Sequence, residues 1–170
     1  VRLGSIEPER MDKEMIARLA AQPKFCPQFH LSLQSGCDNT LKAMNRHYNC
    51  SEYAEIVTNL RNAFENSSMT TDVMVGFAGE TEEDFNASLK FVKSIGFAKV
   101  HIFPYSRRKG TVADKAPNQI DPQIKEQRAK IMEQVCDETR REFLKDQVGL
   151  CESVLVERLR HGYLEGYTKN

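Results

Sequence analysis

Residues 71–111 read TDVMVGFAGETEEDFNASLKFVKSIGFAKVHIFPYSRRKGT. Asp72 to Val75 is short, apolar and β-branched, as expected of a strand covered on both faces. Gly76 and Gly79 follow and leave room for close backbone approach. Thr81 stands three residues before Asp84, a capping-box pair with Asp in place of the usual Glu or Gln. Phe85, Leu89 and Val92 then recur at helical spacing until Gly96 stops the helix. Val100 to Phe103 is the next apolar strand, and Pro104 ends it. A strand, a glycine loop, a capped helix and a second strand make a parallel βαβ unit, whose ligands sit at the C-terminal ends of its strands.

Outward from this unit, strands are expected at 1–6 and 29–33, with a helix over 11–21 between them. A short helix follows over 39–46. Ser51 is expected to cap a longer one that buries Tyr53, Ile56, Val57, Leu60 and Phe64. Asp121 and Pro122 form an N-cap and a first-turn proline. The charged helix behind them is expected to run to about Gln147, with Ile124, Ile131, Val135 and Phe143 on its buried side. After Ser153 the pattern changes: 154–159, His161-Gly162 and 163–168 spell a β-hairpin. Strand-then-helix recurs four times, so the fold class is α/β, a partial (β/α) barrel over 1–150 followed by a short β-hairpin module over 151–170.

Composition narrows the function classes. The chain has 170 residues, 24 Lys plus Arg against 24 Asp plus Glu, so bulk charge selects no partner. No stretch is apolar long enough for a membrane, and no signal peptide opens the chain. The five cysteines, at 26, 37, 50, 136 and 151, are odd in number and scattered. That is neither a disulfide framework nor a CxxC metal pattern, and reduced thiols of a cytoplasmic protein are expected. A chain opening on Val1 is expected to be a processed or excised piece.

The strand exits bring Ser5, Gln34, Ser35, Asp72, Gly76, Gly79 and Tyr105 toward one rim of a parallel sheet. Such groups suit a ligand with a ribose and charged ends; they are equally common as plain turn residues. Arg107, Arg108 and Lys109 form the sharpest charge cluster, either a solvated loop or a seat for a nucleic-acid backbone. Cys37 reads as a small filler. His30 and His101 read as structural histidines, and no metal ligands are assigned.

Four segments, RLGSIEP (2–8), FHLSLQSGCDNTLKAMNRHY (29–48), TTDVMVGFAGETEEDF (70–85) and HIFPYSRRKGT (101–111), occur in order. Together they resemble the radical S-adenosylmethionine methylthiotransferases, most closely the type that acts on threonylcarbamoyladenosine beside the tRNA anticodon. The terminal VLVERLRHGYLEGYTKN resembles the opening strands of the TRAM domain, an RNA-binding β-barrel. The resemblance implies S-adenosylmethionine and [4Fe–4S] clusters as cofactors of the parent enzyme, and tRNA as its partner. The family's CxxxCxxC cluster motif is absent from these residues, so this chain alone is expected to hold no cluster and to be inactive. Val1 falls near the third barrel strand. The unpaired edge of that strand is expected to invite self-association.

By the same resemblance, residues 76–80 form the glycine motif that passes the adenine. Ser5, Gln34 and Arg46 lie near the methionine and ribose. Arg46 either pairs with the methionine carboxylate or is a helix-end cation. Asp72 either accepts from a hydroxyl or ties down a loop. Phe103 either flanks the adenine or joins the core. Ala78 stands where the family often has proline. Arg107, Arg108 and Lys109 become an RNA-binding loop.

Overall fold

The computed structural model describes residues 1–170. Its strands are β1 (Ser5–Ile6), β2 (Gln28–Leu31), β3 (Ser68–Val75) and β4 (Lys99–Pro104), all parallel and in the order β1-β2-β3-β4. The helices are α1 (Lys13–Ala20), α2 (Asp38–Ala43), α3 (Cys50–Ala63), α4 (Glu82–Ile95) and α5 (Pro122–Asp146). Two antiparallel strands, β5 (Leu155–Arg160) and β6 (Tyr163–Tyr167), form a separate sheet. The expected α/β architecture, a partial barrel followed by a hairpin, is what the chain adopts.

Alternation along β3 explains the layering. Met69, Thr71, Val73 and Val75 are buried, and three of these four join a core of 20 residues that includes Ile16, Leu41, Val57, Leu60, Phe85, Val92 and Met132 from the helices. Thr70, Asp72 and Met74 take the opposite, open face. That face is the lumen of the partial barrel. Phe25, Phe29 and Phe64 stack at 5.1–5.5 Å beside the N-terminal end of β2.

Local chemistry sets the boundaries. The Thr81 hydroxyl accepts from the Asp84 N–H while the Asp84 carboxylate accepts from the Thr81 N–H, so α4 begins on a complete capping box. α3 starts on Asn49 instead of Ser51: Asn49 and Glu52 cap each other, a second box unmarked in the sequence reading. β1 is shorter than expected because its entry residues are engaged elsewhere. The Val1 amino group donates to Lys24, the Val1 carbonyl accepts from Cys26, and Arg2 donates to the Thr168 carbonyl. The buried side of α5 is also corrected. Ile124 and Ile131 are exposed, and Lys125, Arg128, Ala129, Met132, Cys136 and Thr139 face inward.

Candidate functional site at the C-terminal rim

At the strand exits lies a cleft of about 730 Å³, lined by Gln34, Ala43–Arg46, Met74, Phe77, Ala78 and Thr111–Ala113 among others. Gln34 opens it. Its φ of 66° lies in the left-handed region, where a non-glycine residue is rare. Sheet-like bonds hold it there: the Gln34 N–H donates to the Asp72 carbonyl, and the Gln34 carbonyl accepts from Met74 N–H. Arg46 follows α2 and donates to Glu7 at 3.0 Å, which tethers the cleft wall to the exit of β1.

The glycine loop forms another wall. Gly76 and Gly79 have φ of 70° and 83°. A Cβ on Gly76 would run into the stem of Lys125, and one on Gly79 into the Asn118 amide. The loop is closed from within by Glu80, whose buried carboxylate accepts from the Gly76 N–H at 2.7 Å. Burial pushes the Glu80 carboxyl above its ordinary value, and Arg128 and the Gly76 N–H pull the other way.

Helix α5 latches this loop from behind. Arg128 donates to the Glu80 carboxylate at 2.7 Å and to the Glu80 carbonyl at 3.0 Å, and it reaches Glu82 at 3.2 Å. Lys125 donates to the Tyr105 carbonyl at 3.0 Å and lies over the Tyr105 ring, which meets Phe77 edge-on. Lys125, Arg128 and Asn118 were not among the residues singled out from sequence, and Glu80 was read only as the end of the glycine motif. A cation three residues from another on a charged helix carries no signal of burial until the loop it faces is known.

Other expected site residues are dispersed. Ser5 is exposed on β1, and Phe103 is half-exposed on the lumen side of β4 instead of in the core. Asp72 is in the lumen, four residues before Gly76, which is about 13 Å down the strand. There it meets His30 and His101 from the neighbouring strands. Arg107 is spent on its own loop, donating to the Asp114 carboxylate at 3.0 Å and the Asp114 carbonyl at 2.8 Å. Arg108 and Lys109 are exposed and make no ion pair.

The donor set bears on the cofactors. An amide at Gln34 and a guanidinium at Arg46, over an apolar floor of Met74, Phe77 and Ala78, fit a nucleoside carrying an amino-acid tail. The thiols do not fit an iron–sulfur cluster, because no three come together. Burial raises the Cys37 thiol and lifts that of Cys136 to about 12.

Comparison with known proteins accords with this geometry. The chain is 35% identical over its whole length to a tRNA-2-methylthio-N(6)-dimethylallyladenosine synthase of Endomicrobium trichonymphae, of which it covers 41%. It is 36% identical, over 98% of the chain, to a threonylcarbamoyladenosine tRNA methylthiotransferase of Thermotoga maritima, and it covers 39% of that protein. An Aquifex aeolicus protein of the latter name is 40% identical over 88% of the chain, which covers 36% of it. The chain thus spans about two-fifths of the length of these relatives. In fold it resembles the radical SAM enzyme coproporphyrinogen III oxidase of Escherichia coli, with a TM-score of 0.60 and 17% identity over 86% of the chain and 33% of the oxidase. Residues 4–92 match the radical SAM superfamily, and the chain belongs to that superfamily.

Proposed function

We propose that this chain is the nucleoside-binding part of a tRNA methylthiotransferase that acts on N6-threonylcarbamoyladenosine. The observation that carries the reading is the rim cleft, where Gln34, Arg46 and the latched glycine loop converge at the C-terminal ends of parallel strands. Relatives of comparable identity bear two substrate names, threonylcarbamoyladenosine and dimethylallyladenosine, and both are N6-substituted adenosines. The resemblance of the segments at 2–8, 29–48, 70–85 and 101–111, taken together, favours the first.

S-adenosylmethionine, when bound, supplies the methyl and radical chemistry. The chain's own residues position it. The loop 76–79 takes the adenine against its backbone, Gln34 binds the polar edge, and a guanidinium nitrogen of Arg46 not used on Glu7 takes the carboxylate. Ser5, Asp72 and Phe103 stand outside the cleft, and Gln34, Arg46 and the loop hold the cofactor without them. Arg108 and Lys109 seat the tRNA phosphates while Arg107 holds their loop in shape. The β5–β6 hairpin is the start of a TRAM module. The whole protein acts in the cytoplasm.

The test is nucleoside mass spectrometry of tRNA from a host lacking both methylthio modifications and expressing the full-length parent gene. Methylthiolated threonylcarbamoyladenosine is expected. Methylthiolation of dimethylallyladenosine alone overturns the finer substrate, and unmodified tRNA overturns the methylthiotransferase reading. In the same protein, Arg108→Ala with Lys109→Ala should flatten the salt dependence of tRNA binding by roughly two units of slope, about 0.9 per phosphate. An unchanged slope refutes the RNA role of the loop.

A further inference from the structure

We propose that His30, Asp72 and His101 form a binding site for one divalent transition-metal ion, Zn2+ or a neighbour, in the barrel lumen. The three come from adjacent parallel strands. His101 is the register partner of Asp72, and His30 is the partner of Thr70, one lumen-facing row away. One ligand atom of each lies within 4.8 Å of the others. Around a tetrahedral ion with bonds of about 2.1 Å, ligand atoms stand about 3.4 Å apart. His30 Nε2 and Asp72 Oδ2 are already 3.4 Å apart, so only His101 has to close in.

The surroundings of His30 supply the orientation a ligating imidazole needs. Its Nδ1 lies 3.0 Å from Thr70 Oγ1. The single Thr70 hydroxyl proton has the Phe29 carbonyl as an acceptor at 3.3 Å, and Gln28 Nε2 donates to the same oxygen at 3.1 Å. With that proton on Phe29, His30 Nδ1 is the donor, and neutral His30 turns its Nε2 lone pair toward the Asp72 carboxylate. In that tautomer two acceptors face each other and a cation between them resolves the repulsion; in the other, Nε2–H donates to Asp72 and the metal ion displaces that proton. A metal-ligating imidazole has its far nitrogen held by a carboxylate, a backbone carbonyl or water, and here the Thr70 hydroxyl takes that place.

Two imidazoles and one carboxylate suit Zn2+ and its neighbours better than Mg2+ or Ca2+, which favour all-oxygen sets. Three protein ligands leave a further position open to the lumen. The site uses none of the five thiols and shares no side chain with the nucleoside cleft, whose floor begins at Met74, the next residue of the same β3 face.

The probe is Zn2+, with Co2+ as its spectroscopic substitute, titrated into the full chain with its thiols kept reduced. One saturable equivalent is expected. His101→Gln and Asp72→Asn should each weaken binding at least about 100-fold, and Thr70→Val about 10- to 100-fold. The wild-type chain gives a readout that needs no variant: Co2+ should shift the imidazole NMR signals of His30 and His101 and leave those of His47 and His161 in place. No saturable uptake, thiolate charge-transfer bands, perturbation confined to His47 or His161, or unchanged affinity in a folded His101→Gln chain would each overturn the assignment.

Discussion

The parallel sheet and the hairpin are built from similar residues and treat them in opposite ways. In β3, Val73 and Val75 are almost wholly buried, closed over by α3, α4 and α5. In the hairpin, Leu155, Leu159, Tyr163 and Leu164 are all at least 70% exposed. Its register is well formed and His161-Gly162 turns it with φ of 49° and 82°, yet it covers neither of its faces. Strand pairing satisfies the backbone, whereas burial requires a second layer. The sheet has that layer within this chain.

The largest effect that sharpens this contrast is a core deletion. Phe85→Ala removes a ring that is 1% exposed and should cost about 3–5 kcal/mol in denaturant unfolding. A cost below about 1 kcal/mol would mean that the helical layer is not packed as described. Next comes the latch. Arg128→Ala leaves Glu80 buried without its counter-charge and should cost about 3 kcal/mol, whereas Arg128→Met combined with Glu80→Gln should recover much of it. Equal losses in the single and double variants would refute the pairing.

Acid titration probes a smaller term. Burial pushes the Asp84 carboxyl up, but bonds from Asn39, Thr81 and Cys37 together outweigh it and hold the group at about 2 against an ordinary 3.8. The folded value is the lower one, so this contribution is complete above about pH 4 and disappears as the pH falls toward 2. Asp84→Asn should cost about 1 kcal/mol at neutral pH and flatten the acid limb of the stability curve. An acid limb of unchanged steepness would count against the cap. Smallest of all, Leu164→Ala in the hairpin should change stability by less than about 0.5 kcal/mol, since the side chain is already in water. A cost near that of Phe85→Ala would reveal a covering layer.

Much of the sheet was legible because its signals are local. β-branched runs marked β3 and β4, the Thr81–Asp84 pair marked the start of α4, and His161-Gly162 marked the hairpin. What escaped depends on tertiary context. Ile124 and Ile131 looked like a core stripe, but α5 turns that side outward to bring Lys125 and Arg128 onto the glycine loop. The polar demand of one loop carbonyl and one buried carboxylate outweighed two isoleucines. In the cleft, Gln34 and Arg46 stand with Phe77 and Ala78 of the glycine loop, whereas Asp72 lies with His30 and His101. Period-2 alternation puts each of these three on a strand face, but only the register across β2, β3 and β4 puts them together.

The bond between Glu80 and Arg128 spans 48 positions of chain, and that distance is also an interval of time. A ribosome delivers β3, the glycine loop and α4 before it delivers α5. Throughout that interval the Glu80 carboxylate has no counter-charge and the Lys125 stem is missing from the flank of Gly76. A nascent chain therefore lacks the latch on its glycine loop until a helix that lines no part of the cleft has been translated.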